Sequence, residues 1–312
     1  MIFGHKDADG DTLGCSLAFA EALQSRGKTV WVVIPHPLPA MYAWLPGFER
    51  IMEAPPNGAD PSLVLFFDAG NIERSGSAVN HIASHAKIVN VDHHGSNTRF
   101  GDINIIEPDA SAVGQMVLEM LERFGWPITP SIATNLYTAL MTDTGRFLHE
   151  NTTPECLEAA THLARLGADP GHIATMVYKS WPPTTVRLNA LSIASMQVDR
   201  DGRLAWAKVT RRMLKEAGAV MAEAEGIIDT LNSIAGLDLA IIFKEIGDRM
   251  TKISVRSRGR VDAAAFCAEF GGGGHLRAAG AEIGKPMSEA IHVVLAAAEE
   301  AIADASRDPQ RR

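Results

Sequence analysis

Four short stretches concentrate side chains that could do chemistry. The first, Gly4-His5-Lys6-Asp7-Ala8-Asp9-Gly10-Asp11, holds one histidine and three aspartates. The second places Asp68 at the end of the apolar run Val64-Leu65-Phe66-Phe67. The third is Val91-Asp92-His93-His94, and the fourth is Asp143-Thr144-Gly145. Taken singly, most have an ordinary reading: Asp11 or Asp68 as a helix cap, Asp143 as the start of a turn before Gly145. A calcium loop is excluded for the first stretch, because Gly10 falls between the second and third aspartates and Ala18 occupies the place of the bidentate glutamate. Adjacent histidines after a buried strand are harder to explain as packing, since an imidazole without a partner is costly to bury.

Together the four stretches make a stronger case. Three of them follow predicted strands, so in one parallel sheet their side chains converge on its carboxyl edge. About five carboxylates and three imidazoles, with no thiolate, select Mn2+, Mg2+ or Fe2+ over structural zinc. Such carboxylates repel one another unless cations sit between them. Two metals about 3.5–4 Å apart meet that need and suit in-line attack at phosphorus.

The elements that must position these groups are visible in the hydrophobic pattern. Met1 to Phe3 reads as a stub of strand; Val30 to Ile34, Leu63 to Phe67 and Ile88 to Val91 read as buried strands. Thr12 to Ser25, Ser111 to Phe124 (after an Asp109 cap), Ser131 to Thr142 and Leu157 to Leu166 read as helices. The expected fold is therefore α/β: a parallel sheet with helices on both faces, followed by a smaller α+β domain. Trp181-Pro182-Pro183 marks the change of texture. The expected division is a catalytic domain over 1–183, a linker helix over 184–196 and a second domain over 197–312. In the latter, Gln197 to Thr210 is a hairpin with Asp201-Gly202 at its tip, Leu239 to Lys244 and Lys252 to Arg256 are strands, and Met287 to Ala305 is a closing helix.

Composition narrows the function. With 29 basic and 37 acidic residues, the net charge of −8 argues against a general duplex-coating protein. No apolar run approaches the roughly 20 residues of a membrane span, and no secretory leader is evident. Cys15, Cys156 and Cys267 form neither a disulfide framework nor a zinc ribbon, so the cytoplasm is the expected compartment. Cys15 and Cys267 read as packing residues.

The order His5, Asp9, Asp11, then Asp68, then Asp92-His93-His94, then Asp143-Thr144-Gly145 resembles the DHH phosphoesterase superfamily. Val255-Arg256-Ser257-Arg258 and Gly271-Gly272-Gly273-Gly274-His275-Leu276-Arg277 resemble its associated C-terminal domain. By length and motif order the chain is similar to the subgroup acting on very short RNA and on 3′-phosphoadenosine 5′-phosphate (pAp). The resemblance implies two Mn2+, with Mg2+ or another divalent ion as a substitute. One would be held by His5, Asp9 and Asp68; the other by Asp11, Asp68, His93 and Asp143, with Asp68 bridging. It further implies that Asp92 orients His93 or its loop, that His94 faces the substrate phosphate, and that a metal-bridging hydroxide attacks phosphorus. The active site is expected in the cleft between the domains. There are departures: Ala8 stands where the family usually has proline, the first strand is unusually short, and Arg277 replaces a frequent lysine.

Residues 244–260 carry six basic groups (Lys244, Arg249, Lys252, Arg256, Arg258, Arg260) against Glu245 and Asp248. Four consecutive glycines let backbone N–H groups approach an anion as a nest. Arg256, Arg258, Gly272, Gly273, Gly274, His275 and Arg277 are accordingly expected to hold the nucleotide. The expected partners are short single-stranded RNA or DNA and small nucleotides; a homodimer is allowed, and no membrane is involved. Alternatives are a phosphodiesterase for cyclic or linear dinucleotides, a RecJ-like single-strand exonuclease, and a non-catalytic nucleotide-binding module. His149 is a further candidate for the site.

Overall fold

The computed structural model describes residues 1–199, 201–258 and 260–307, and of His275 the backbone alone. The chain divides into two compact units, Met1–Ser180 and Trp181–Arg312.

The first unit is built on six parallel strands: β1 (Ile2–Phe3), β2 (Val32–Val33), β3 (Ile51–Met52), β4 (Leu63–Phe67), β5 (Lys87–Asp92) and β6 (Ile103–Ile106). Their order is β3-β2-β1-β4-β5-β6. The order reverses between β1 and β4, which opens a crevice at the carboxyl ends of those strands. Register keeps these ends level. Phe3 pairs with Phe66, Phe67 pairs with Val91, and the Asp68 N–H donates to the Val91 carbonyl at 3.0 Å.

Successive strand residues point to opposite faces. Ile2, Leu65, Phe67 and Val91 enter a large core with the helices α1 (Gly10–Gln24), α2 (Val113–Arg123), α3 (Pro130–Asp143), α4 (Pro154–Arg165) and α5 (Pro170–Tyr178). Phe3, Val33, Val64 and Phe66 enter a smaller core on the other face. Helices are expected on both faces, but among the described residues this second face is covered by the 3-10 turns Ile72–His81, whose Ala78 packs into it, and not by α-helices. The start of α2 also differs from the expected Asp109 cap. Its N-cap residue is Ala112, without a side-chain hydrogen bond, and Asp109 does not cap it.

Close approach of α1 to α3 depends on two glycines. A Cβ on Gly14 would lie 2.3 Å from the Asn135 carbonyl oxygen, and one on Gly10 would lie 2.3 Å from Thr142 Oγ1. The bare backbone there lets the first turn of α1 reach the last turn of α3.

The second unit opens with α6 (Pro183–Ala194), whose Leu188 is buried in that unit's own core. Next come β7 (Gln197–Val198), β8 (Leu204–Val209), α7 (Arg211–Ala217), α8 (Ile227–Asn232), β9 (Leu239–Gly247), β10 (Met250–Ser257), α9 (Ala263–Ala268), β11 (Gly273–His275), β12 (Ala278–Ile283) and α10 (Met287–Arg307). The strands form one sheet in the order β11-β12-β10-β9-β8-β7, antiparallel except for the β8–β9 pair. Ile241, Phe243, Ile253 and Val255 pack with α9 and α10, while Ala240 and Ile242 pack with α6, α7 and α8.

Candidate metal centre

His5 lies just beyond β1, Asp68 just beyond β4, and Asp92 ends β5. The level register of these strands therefore sets the three loops side by side. Asp9 is the N-cap of α1; its Oδ1 accepts from the Asp11 and Thr12 amides at 3.1 and 3.0 Å. Asp143 is the last residue of α3, carried to the sheet edge by the α1–α3 contact. Three groups of ligand atoms result, each within 4.8 Å: His5 with Asp9 and Asp68; Asp11 with His93 and Asp143; Asp68 with His93 and His94. Residues far apart in the chain thus share one rim, and Asp68 belongs to two of the groups. His149, by contrast, is exposed and rests against Gly145, outside all three groups.

Asp68 is buried, with φ +58°, a left-handed conformation that aspartate adopts more readily than most residues. Its Oδ2 accepts from Thr12 Oγ1 at 2.7 Å and lies 3.3 Å from His5 Nε2. Its Oδ1 is 3.8 Å from His93 Nε2 and 3.5 Å from His94 Nδ1.

The tautomers follow from the partners. His5 Nδ1 lies 2.6 Å from the Lys6 carbonyl and His93 Nδ1 lies 2.9 Å from the Ala110 carbonyl. A carbonyl can only accept, so both Nδ1 atoms carry a proton and both Nε2 lone pairs face carboxylates. His93 Nε2 is 3.6 Å from Asp143 Oδ2 as well. Lone pairs opposed to carboxylates require a cation between them, either a proton or a metal. This donor set, imidazole Nε2 and carboxylate oxygen, fits a hard divalent ion.

Asp92 engages the ring of His94 and the backbone amide of His93, so it holds the loop as expected. Its Oδ1 accepts from His94 Nδ1 at 2.7 Å and from the His93 amide at 2.9 Å, while Asn97 Nδ2 donates to its Oδ2 at 2.5 Å. His94 Nδ1 is therefore committed to Asp92, which fixes the orientation of the ring.

The electrostatics report crowded charge. Burial, with Asp68 adding to it, raises Asp11 to about 7. Burial also raises Asp143 far above the usual carboxylate range, with Asp11 and Asp68 contributing. For Asp68, burial is outweighed by His5, His94 and His93, which hold its carboxyl below the ordinary value. Burial would lower His93, but Asp143, Asp68 and Asp11 outweigh it and bring it to about 9.

Three supporting residues escaped the sequence reading. Thr12 adjoins Asp11 on the first turn of α1, and Asn97 follows Asp92 by five residues; only these positions hinted at them. Cys15, expected as packing, donates Sγ–H to Asp11 Oδ1 at 3.2 Å. Burial and Asp11 push this thiol's pKa well up, which favours the protonated form that donates to Asp11.

In the second unit the glycine run is not an open turn. Gly273–His275 is the edge strand β11, paired with β12. A Cβ on Gly272 would lie 2.1 Å from the Gly280 oxygen and one on Gly274 2.5 Å from the Ala278 oxygen, so strand packing alone demands both glycines. The expected local excess of positive charge is also smaller in space than along the chain. Buried Lys244 pairs with Glu225 at 2.8 Å, and Arg256 Nε is 3.5 Å from Asp229. Arg258 is exposed and donates to the Ile234 carbonyl at 3.2 Å; Arg277 is half-buried. The side chain of His275 lies outside the described residues.

Residues 1–141 match the DHH family, N-terminal domain, and residues 201–304 match the DHHA1 domain. The chain is 32% identical to the bifunctional oligoribonuclease and PAP phosphatase NrnA of Thermus thermophilus, over 96% of this chain and 89% of that protein. Against the Bacillus subtilis protein of the same name, identity is 27% over 91% of this chain and 88% of that one. The cyclic-di-AMP phosphodiesterase GdpP of Geobacillus thermodenitrificans matches at 26% identity, over 94% of this chain but only 47% of that protein. Among solved structures, an exopolyphosphatase-related protein from Bacteroides fragilis superposes with a TM-score of 0.86 at 29% identity, covering 96% of this chain and 91% of that one. Among the described residues no helix is long and apolar enough to cross a membrane.

Proposed function

The chain belongs to the DHH family of phosphoesterases, and from that premise we propose that it hydrolyses oligoribonucleotides of a few residues and the 3′-phosphate of pAp, using two Mn2+. The observation that carries the reading is the position of Asp68, whose carboxylate groups with His5 and Asp9 on one side and with His93 and His94 on the other, while His93 also groups with Asp11 and Asp143. His5, Asp9 and Asp68 would hold one ion; Asp11, Asp68, His93 and Asp143 would hold the other. When bound, such a pair supplies the Lewis acidity that activates water and offsets charge on phosphoryl oxygens.

The chain's own groups do the rest. Lys6 and Ala110 carbonyls fix the His5 and His93 rings so that Nε2 points to the site. Asp92 and Asn97 hold the His94 ring, and its Nε2 is assigned to the substrate phosphate, to which it would donate in its N–H form. Arg256, Arg258, Gly272, Gly273, Gly274, His275 and Arg277 are assigned to the nucleotide; the edge position of β11 supports an approach of ligand to its backbone. Coverage of 89% of the Thermus relative against 47% of the cyclic-di-AMP phosphodiesterase favours the pAp and short-RNA reading.

The test is kcat/KM with Mn2+ over a panel of pAp, di- and trinucleotides, cyclic dinucleotides and long single strands. Preference for pAp and the shortest RNAs is expected. A lead of tenfold or more for a cyclic dinucleotide or a long strand would overturn the assignment.

A further inference from the structure

We propose that Arg74 contacts a phosphate group of the substrate beside the metal centre, an anion-binding role that rests on the phosphoesterase reading above. Arg74 lies in the 3-10 turns Ile72–His81 that follow Asp68. Its backbone is fixed on both sides. The Arg74 amide donates to Asn71 Oδ1 at 3.0 Å, and its carbonyl accepts from the Lys6 amide at 2.7 Å. The second bond ties Arg74 to the loop that carries His5, in the crevice where the strand order reverses.

The guanidinium ends with Nη2 3.3 Å from His5 Nδ1. That approach does not satisfy it. The Lys6 carbonyl, only 2.6 Å from the same Nδ1, can only accept, so Nδ1 is itself a donor. Arginine nitrogens carry no acceptor, and two donors therefore face each other. Seating a cation on His5 Nε2 keeps the proton on Nδ1, so the conflict persists in the loaded protein. Among the described residues no carboxylate lies within ion-pair distance of Arg74. Its donors are thus available, and they sit against a proposed metal ligand.

The charge balance says what they would meet. Asp9, Asp11, Asp68, Asp92 and Asp143 carry five negative charges, and two divalent ions carry four positive ones, so the loaded centre keeps one net negative charge (5 − 4 = 1). A phosphate ester arriving there brings further negative charge. A fixed cation at the rim removes that repulsion, and a planar guanidinium can hold two phosphate oxygens at once. A purely structural role for Arg74, as a prop for His5, makes a different prediction: loss of the side chain would weaken metal binding.

The experiment uses Arg74→Ala and Arg74→Lys in the full chain. Mn2+ is titrated into the metal-free protein, inorganic phosphate is titrated into the Mn2+-loaded protein, and kcat and KM are measured with pAp. Mn2+ affinity should stay within about threefold, while phosphate affinity and kcat/KM fall about 10- to 100-fold in Arg74→Ala, the loss of a charge-assisted contact. Arg74→Lys should recover part of the loss. Unchanged phosphate affinity, or Mn2+ affinity falling in step with it, overturns the proposal. If Arg74→Ala does not fold, Arg74→Gln, which keeps the length of the side chain, is read by the same titrations. Should wild-type protein bind phosphate through Arg74 yet hydrolyse none of the nucleotide panel, the contact stands and the nucleotide reading fails.

Discussion

Replacing Asp68 by asparagine isolates the charge shared between the two ligand groups. Asparagine tolerates the left-handed φ of +58° and keeps an oxygen for Thr12 Oγ1. The variant should therefore fold. Asp68 faces the two imidazole nitrogens assigned to the ions, His5 Nε2 and His93 Nε2, across gaps of 3.3 and 3.8 Å, where a cation would sit. At about 4 Å and an effective dielectric near 20, a unit charge and a divalent ion attract by roughly 8 kcal/mol. If only a quarter of that survives relaxation and water entry, each ion loses about 2 kcal/mol, or roughly 30-fold in affinity. Two ions that must both be present then lose roughly 10³-fold together. The assay is Mn2+ stoichiometry by isothermal titration, with kcat/KM for pAp measured across an Mn2+ series. Two Mn2+ per chain, each within threefold of the wild-type affinity, would refute the bridging role of Asp68.

The metal-free protein should lose stability as pH rises from about 6.5 to 9. His93, held up at about 9, binds its proton more tightly folded than unfolded, so its contribution is complete below its ordinary value of 6.5 and is lost as pH climbs through 9. The loss is on the order of 2–3 kcal/mol, or several degrees of Tm by differential scanning calorimetry; Mn2+ should raise Tm more at pH 9 than at pH 6.5, and a flat metal-free profile would contradict this. Gly14→Ala forces a Cβ to within 2.3 Å of the Asn135 carbonyl oxygen and pushes α1 off α3. A cost of about 1–3 kcal/mol is expected, together with weaker Mn2+ binding because Asp11 and Asp143 separate; unchanged Tm and Mn2+ affinity would show that the contact does not set the site.

The candidate ligands were readable because each one punctuates an element. His5, Asp68 and Asp92 stand directly past apolar strand runs, and Asp9 opens a helix, so a parallel sheet suffices to bring them together. What escaped depends on contacts between distant residues. Asp109 is the local candidate for the α2 cap, but the α2 amides are taken by Asp11, about a hundred positions earlier. The charge of segment 244–260 is offset by Glu225 and Asp229, which no local window contains. Strand β3 has two residues and β6 lies at a half-exposed edge, so neither leaves a buried-strand signature. Asp92 could have served either adjacent imidazole; only its 2.7 Å contact with His94 Nδ1 decides between them.

Asp11 shows why the chemistry cannot be separated from the packing. Its Oδ2 and Oδ1 accept from the Val113 and Gly114 amides at 2.7 and 2.9 Å, so the carboxylate docks the N-terminus of α2 where a side-chain cap is missing. The α2 macrodipole and these amides favour the charged form, in opposition to burial and Asp68. Gly114 allows that docking, since a Cβ there would lie 2.6 Å from Ala139 Cβ on α3. The same carboxylate therefore holds α2 and faces His93 and Asp143. A metal that binds only this assembled arrangement stabilises it by mass action, by about 2.7 kcal/mol at a hundredfold excess over Kd. On the proposed ligand assignment the helix layer and the ligand set would form together, and carboxylates that repel one another in the metal-free protein would become, with a cation between them, contacts that draw α1, α2 and α3 onto the sheet edge.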